Sequence, residues 1–373
     1  MPYALIVAET NPLHYGHTNL IQCAKDRGYS VIVLMSGSFT QRGIPVVTDK
    51  FSRAEDLIAQ GVDLVITHPV QSATSAGELF SYGAMCAATR LPAIDAVFCG
   101  TEFGDEDVFA AMYDYEQTEA FKNRLKKTMN AGASYAAAYK KAFAEKDPQW
   151  EMLFQSNALL AYGYYKSLRK LSSAISFKMV PRKKSASILS ASALRAMNEV
   201  NAADVKVYCA GTAPAYRESE LCAKLFHIYR SALLTSELDL SAYDGYEIGI
   251  DQRINKLIRS ATDFHAFLDQ AKTKRYSRWR IARLLLHHQL AMDRDSVRAS
   301  VENQKAYQVL AFSDKGTDYL RLAKTSSTNL LTTYKQIKKL PTDQQRILSF
   351  EERATDMWSV LTETEMGRDY LGF

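Results

Sequence analysis

The sequence predicts an α/β chain: a doubly wound parallel sheet followed by a mainly α-helical domain. Three observations lead there. Four short apolar runs in the first 100 residues lack strict polar alternation, so each reads as a strand covered on both faces. Helical patterns separate those runs, and strand–helix repeats of this length close by right-handed crossovers into a parallel sheet. After Gly100 the spacing turns helical, with one further strand before the chain's second half.

The strands are Tyr3–Ala8 (YALIVA), Val31–Met35 (VIVLM), Val62–Thr67 (VDLVIT) and Ala96–Cys99 (AVFC). Thr18–Arg27, Phe51–Gln60 and Ala76–Thr89 are the helices between them. Asp105–Asn130, Ser134–Glu145 and Asn157–Leu171 also have helical spacing, and Ile175–Val180 (ISFKMV) is a fifth strand. A Lys- and Ser-rich loop follows, then a short helix from about Ser192. Gly211 and Pro214 interrupt the pattern, which places the domain boundary within Asn198–Ala215. The expected parts are residues 1–200 and 201–373. Arg217–Thr235, Gln252–Ser260, His265–Ala271, Arg278–Met292 and Arg353–Thr364 read as helices of the second part.

Composition excludes several classes. The 373 residues are 47% hydrophobic and 23% charged, a globular balance rather than a disordered or fibrous one. No apolar run approaches the ~20 residues that span a bilayer, and no N-terminal stretch has the build of a signal peptide. The five cysteines (Cys23, Cys86, Cys99, Cys209, Cys222) are odd in number and form no CxxC, which argues against a disulfide framework or a structural zinc. A reducing, cytoplasmic setting is expected, with no membrane partner.

Charge is unevenly spread. Residues 1–119 carry a net of −9 and residues 120–200 a net of +11. Residues 272–283 (KTKRYSRWRIAR) hold six basic side chains and no acid. Such a cluster suits a polyanionic partner. Lys274, Arg275, Arg278, Arg280 and Arg283 interleave there with Tyr276 and Trp279. That mixture can pair phosphates and stack on unstacked bases, so the cluster as a group is expected to bind RNA, with no DNA partner; the plainer reading of any single residue is a solvated helix face with Trp279 in the core. Lys122, Arg124, Lys126, Lys127, Lys183 and Lys184 extend the positive charge.

The chemistry is concentrated after the first strand, in Glu9-Thr10-Asn11-Pro12-Leu13-His14-Tyr15-Gly16-His17. In open parallel sheets, ligands bind beyond the carboxyl ends of the strands. A helix starting there offers free N–H groups and the positive end of its dipole to phosphate. Gly16 allows close backbone approach. His14 and His17, three residues apart, can aim both rings at one anion, so they are the candidate catalytic pair. Other residues carry plainer readings. Asp49 is a helix N-cap. His68, His227 and His265 are packing or surface residues. Adjacent His287 and His288 do not share a helix face and mark no metal site. Arg42 could steady a phosphate or carboxylate, or simply face water.

This strand–HxGH–helix arrangement resembles the nucleotidyltransferase superfamily, which implies a Rossmann-like sheet and attack of a substrate on the α-phosphate of ATP. Ser190-Ala191-Ser192-Ala193-Leu194-Arg195 resembles that superfamily's S-[ST]-[ST]-x-[IL]-R signature, with Ala191 in place of one hydroxyl. The likeness implies that Ser190, Ser192 and Arg195 hold the β- and γ-phosphates. Further strings are Met35-Ser36-Gly37-Ser38-Phe39-Thr40-Gln41-Arg42-Gly43-Ile44-Pro45, Asp49–Ala54, Cys99-Gly100-Thr101-Glu102, Ser156–Leu160 and Lys274–Arg278. Together with the His motif they are similar to the tRNA(Met) cytidine acetate ligases.

The resemblance implies ATP-dependent activation of acetate to acetyl-adenylate, then transfer to the wobble cytidine of elongator methionine tRNA. It implies nucleotide contacts at Val7–Leu20 (Val7, Ala8, Glu9, Asn11, Pro12, His14, Gly16, His17 and Leu20), Gly100, Asn157 and Arg182. Mg²⁺ is expected only as the counter-ion of ATP, because no carboxylate cluster with metal-ligand spacing stands near the His motif. Departures from the family pattern are Thr10 for Tyr, Leu13 for Phe, Ser38 for Asn, and Thr67-His68-Pro69 for Glu-Leu-Pro. Two rival readings remain: a small-molecule adenylyltransferase releasing a dinucleotide, and a catalytically idle tRNA-binding protein.

Overall fold

A computed structural model describes residues 1–102, 105–182, 188–235, 239–273 and 276–370. The chain runs β1 (Tyr3–Ala8), α1 (Tyr15–Asp26), β2 (Ser30–Ser36), α2 (Lys50–Ala59), β3 (Leu64–His68), a one-turn α3 (Val70–Ala73), α4 (Gly77–Arg90) and β4 (Ile94–Thr101). Then follow α5 (Glu106–Glu116), α6 (Glu119–Asn130), α7 (Tyr135–Ala144), α8 (Ser156–Lys170), β5 (Ser176–Pro181), α9 (Ala191–Val200) and α10 (Ala202–Val205). The second half holds α11 (Glu218–Thr235), α12 (Ile250–Ile258), α13 (Phe264–Ala271), α14 (Arg278–Gln289), α15 (Arg294–Asn303), β6 (Ala306–Phe312), α16 (Asp314–Ala323), β7 (Asn329–Leu331), α17 (Tyr334–Ile337) and α18 (Thr342–Thr362).

The strands form one sheet in the order β5-β4-β1-β2-β3-β6-β7. Strands β1 to β5 are parallel, as the apolar runs predict. Alternation with period two sends Leu5, Ile32, Leu34, Ile66 and Val97 into a core under α4 and α8. Ile6, Val31, Val33, Val65 and Phe98 enter the opposite core with α1 and α2. Burial on both faces is why these strands read as unbroken apolar runs. Chain order reverses between β1 and β4, so the crevice that binds ligands in open sheets lies at their carboxyl ends.

The structure differs from the sequence expectation in three places. Asp105–Asn130 is two helices rather than one, because Thr118 caps α6 through the Phe121 N–H (3.2 Å). The last long helix is α18, which begins at Thr342 and not at Arg353. The second half also returns to the sheet: β6 pairs antiparallel with β3, and β7 parallel with β6. Helices α11 to α14 and α18 build a second core, which also takes in Phe39, Ile44 and Val70 of the first half.

Buried polar side chains fasten the loops at the strand ends. Arg53 on α2 is 1% exposed and donates to the carbonyls of Thr48 (3.0 Å), Glu9 (2.5 Å), Ser36 (3.1 Å) and Gly37. Burial lowers the guanidinium to about 10, which leaves it charged at neutral pH. Lys50, also 1% exposed, pairs with Glu351 of α18 (3.3 Å) and Asp369 (2.8 Å). Burial opposes the Lys50 charge, but the two carboxylates hold the ammonium above its ordinary value. The Asp49–Ala54 string is therefore structural, with Asp49 capping α2 as expected through the N–H groups of Phe51 and Ser52 (both 3.0 Å).

Candidate active site

Helix α1 starts directly beyond β1, and His14 is its N-cap. The Gly16 N–H donates to His14 Nδ1 (3.0 Å), and the His14 N–H donates to His17 Nδ1 (3.3 Å). The two rings stack at 3.9 Å with 28° between their planes. With each Nδ1 accepting, a neutral ring must carry its proton on Nε2. Burial, and to a lesser degree the Arg182 charge, lowers His14 to about 4. Burial and then the neighbouring His14 push His17 well below its ordinary value. Both imidazoles are thus neutral donors through Nε2–H. Gly16 has a further reason to be glycine: a Cβ there would lie 2.7 Å from His14 Cε1, so the missing side chain makes room for the ring.

The loop before the His pair is fixed from several sides. Asn11 Oδ1 accepts from the Val47 N–H (2.9 Å), while Asn11 Nδ2 is buried without a partner. Glu9 accepts from the Gln41 N–H (2.6 Å), tying β1's end to the loop after β2. Val7 and Ala8 close β1 and are half-buried; Pro12 is buried. Thr10 donates to Met35 Sδ (3.1 Å).

Across the β1–β4 crevice, a Cβ on Gly100 would meet, among the described residues, Arg182 Cγ (3.8 Å) and Leu20 Cδ2 (4.0 Å). The space beside this glycine is therefore bounded by two of the expected nucleotide residues. Glu102 joins Arg182 to Asn157: it accepts from Asn157 Nδ2 (2.6 Å) and Arg182 Nη1 (3.0 Å). Burial alone would raise its carboxyl, but the Asn157 amide and the Arg182 charge hold it below the usual carboxylate range. Nothing local in the sequence marks Glu102 for this contact, since Asn157 lies 55 residues away.

Ser190 caps α9 by accepting from the Ala193 N–H (3.2 Å). Arg195 Nη1 donates to the Asn11 carbonyl (2.6 Å), its Nη2 lies 3.4 Å from Ser192 Oγ, and its Nε lies 2.5 Å from Glu218. The signature helix thus meets the His loop, as the two motifs require.

The expected RNA-binding residues lie on and before α14. Lys274, Arg275, Lys183 and Lys184 fall outside the described residues. Arg278 meets His265 (3.0 Å) and Asp269 (3.6 Å), while Arg280 meets the Gly245 carbonyl (2.7 Å) and Glu247 (3.3 Å). The run contains no acid, but neighbouring segments supply them. Arg283 is half-buried and reaches the Gln41 carbonyl (3.4 Å). The Arg42 and Arg278 guanidiniums both lie over the Trp279 ring, 5.0 and 4.7 Å from its centre. Gly43 (φ +76°) lets the Gln41–Gly43 loop rest on the α14 backbone, since a Cβ would lie 2.8 Å from Arg283 N.

His68 and His287 are packed in the core. His68 rests edge-on against Phe80, and His287 contacts Thr74 Oγ1 (2.9 Å) and the Thr74 carbonyl (3.0 Å). The five cysteines are free thiols. Among the described residues, no helix is long and apolar enough to cross a membrane.

Comparison with known proteins agrees with this geometry. The family described as HIGH Nucleotidyl Transferase matches residues 1–370. The tRNA(Met) cytidine acetate ligase of Clostridium perfringens is 30% identical over 98% of this chain and 97% of its own length. That of Anoxybacillus flavithermus is 31% identical over 96% and 94%. The crystal structure of Thermotoga maritima TmcAL bound with alpha-thio ATP superposes with a TM-score of 0.86 at 26% identity, covering 97% of this chain and 95% of that one. A Rossmann-like sheet, an HxGH helix start and full-length similarity converge: this chain belongs to the HIGH nucleotidyltransferase family, and within it to the tRNA(Met) cytidine acetate ligases.

Proposed function

We propose that the chain activates acetate with ATP and transfers the acetyl group to the wobble cytidine of elongator methionine tRNA, forming N4-acetylcytidine. The observation that carries the reading is the neutral His14–His17 pair, held at the start of α1 with both Nδ1 atoms occupied and both Nε2–H groups left to donate. An acetate oxygen attacks the α-phosphorus and the bond to pyrophosphate breaks. The protein supplies no nucleophile. His14 and His17 donate to α-phosphate oxygens as charge builds there, in the manner of an oxyanion hole, and the α1 dipole adds to it. Arg195 and Ser192 hold the distal phosphates. Gly100 leaves room for the nucleotide beside Leu20 and Arg182, and Glu102 keeps Arg182 and Asn157 in place.

In the second step the cytidine amine attacks the acetyl carbonyl carbon, and AMP leaves. Mg²⁺, as the counter-ion of ATP, would neutralise part of the triphosphate charge. The helical second half carries the RNA surface, centred on α14 with Arg278, Arg280, Arg283 and Trp279, and with Arg42 beside them. Lys274 and Arg275 belong to the same basic run. The cytoplasm, where tRNA is modified, is the expected location.

Incubation with ATP, radiolabelled acetate and unmodified methionine tRNA tests the reading. Label should enter the RNA as N4-acetylcytidine without acetyl-CoA. A stable dinucleotide product with unlabelled RNA would favour the small-molecule adenylyltransferase. RNA binding with no ATP turnover would favour the idle binding protein.

A further inference from the structure

The phosphate-binding arginine of the signature helix is held by a residue from the other half of the chain. Arg195 on α9 has five N–H donors in a planar fork. Its Nε lies 2.5 Å from Glu218, and its Nη1 donates to the Asn11 carbonyl at 2.6 Å. The Asn11 hydrogen bond and the Glu218 ion pair, which lacks hydrogen-bond geometry, hold the guanidinium from two sides. The Nη2 edge is left beside Ser192 Oγ at 3.4 Å, a separation that makes only a weak bond and lets one anion take both groups. The ion pair is largely enclosed, with Arg195 and Glu218 side chains 11% and 18% exposed.

Glu218 is itself well fixed. It is the first residue of α11, where an acid is favoured by the helix dipole. Two further contacts stitch α9 to this helix start. Asn198 Nδ2 donates to the Tyr216 carbonyl (3.0 Å), and Glu199 accepts from the Ser219 N–H (3.0 Å) and hydroxyl. Leu221, Leu225 and Phe226 then anchor α11 in the helical core. The helical half therefore sets the orientation of a residue that serves the sheet half.

We infer that Glu218 is a positioning residue for ATP: it orients Arg195 so that Nη2 and the Ser192 hydroxyl together meet the distal phosphates. The inference rests on the assignment of Arg195 to those phosphates. Without the carboxylate, Arg195 keeps its charge but loses one of the two contacts that hold it. Coupling between two residues in contact corresponds to about two- to a hundred-fold in affinity.

The test is a double-mutant cycle of Glu218→Gln and Arg195→Ala, read as the Kd for ATP by titration and as kcat/KM in pyrophosphate exchange. Glu218→Gln should raise the Kd for ATP about tenfold and leave the KM for acetate unmoved. The double variant should bind ATP no more weakly than Arg195→Ala alone, because the effect of Glu218 passes through Arg195. Additive losses would overturn the inference, as would unchanged ATP affinity in Glu218→Gln. Unchanged affinity in Arg195→Ala would remove the phosphate assignment and the positioning role with it. Should Glu218→Gln melt early, Glu218→Asp, which sets the charge back by one methylene, gives the same readout. A wild type that binds ATP but shows no acetate-dependent exchange would refute the proposed function, while the Kd cycle would still decide the role of Glu218.

Discussion

Replacing Arg53 with methionine removes a single cation from beneath the active-site loops. Four backbone carbonyls, of Glu9, Ser36, Gly37 and Thr48, converge on its guanidinium. Methionine refills the apolar volume and supplies no donor. Four bonds to a charged group at ~1.5–3 kcal/mol each would sum to ~6–12 kcal/mol, but members of one network do not add. Removing one partner from a buried charged network costs ~3–5 kcal/mol, and we take ~4 kcal/mol. An unfolding entropy of about 2.1 cal/mol/K per residue gives ~0.8 kcal/mol/K for 373 residues. The melting temperature should then fall by ~5 °C. Because three of the carbonyls end β1 and β2 or begin the loop after β2, ATP affinity should fall as well. Thermal melting and an ATP titration of the same variant measure both effects. A variant that melts within about a degree of wild type and binds ATP equally well would show that Arg53 does not organise the loops, since the expected shift is several degrees.

Other outcomes follow from the same geometry. His14→Asn keeps an acceptor near Nδ1 to cap α1 but lacks Nε2–H, so adenylation should slow on the order of 10²–10³-fold with the fold retained; His17→Ala should slow it similarly, and near-normal turnover would remove either residue from the chemistry. With His14 lowered to about 4, the histidine pair should not impose a rate decline between pH 7 and pH 5; a loss of kcat/KM centred near 6.5 would contradict neutral donors. His68 and His287 are lowered by burial to about 3 and about 4. The unfolded chain therefore takes up protons first. Stability should be full above pH 6.5 and fall from there toward pH 4, by roughly 1.4 kcal/mol per unit for each histidine. Denaturant midpoints across that range, with His68→Leu giving a shallower slope, provide the check. Gly43→Ala puts a Cβ against the α14 backbone at a positive φ and should cost ~2–4 kcal/mol from left-handed strain and overpacking; unchanged melting would mean that the loop and α14 are not locked together.

Local patterning made the first five strands and the His motif legible. Tyr3–Ala8 matches β1 residue for residue, because an unbroken apolar run needs burial on both faces and the sheet supplies it. Strand β6 (AYQVLAF) has comparable apolarity, yet its place depends on pairing with β3, from which it is separated by more than 230 residues. Nothing local encodes that contact. The site divides the same way. His14, Gly16 and His17 lie in one turn, so their relation shows in the spacing. Glu102–Asn157, Arg195–Glu218 and the carbonyls gathered by Arg53 join distant segments, and their roles emerge only when the chain is folded. The basic run at 272–283 shows the converse. Its lack of internal acids is visible in sequence, while the pairing of Arg278 with Asp269 and Arg280 with Glu247 is not.

Pyrophosphate exchange into ATP, measured with purified protein and no RNA present, tests most directly whether the His14–His17 site activates a carboxylate by itself. The residues proposed to hold ATP gather at the β1–β4 crevice, and none of the roles proposed for the first step falls on α14, so the first half-reaction should proceed alone. Exchange should depend on acetate, proceed without tRNA, and collapse in His14→Asn. Exchange that is absent until tRNA is added, or that is indifferent to acetate, would contradict the account.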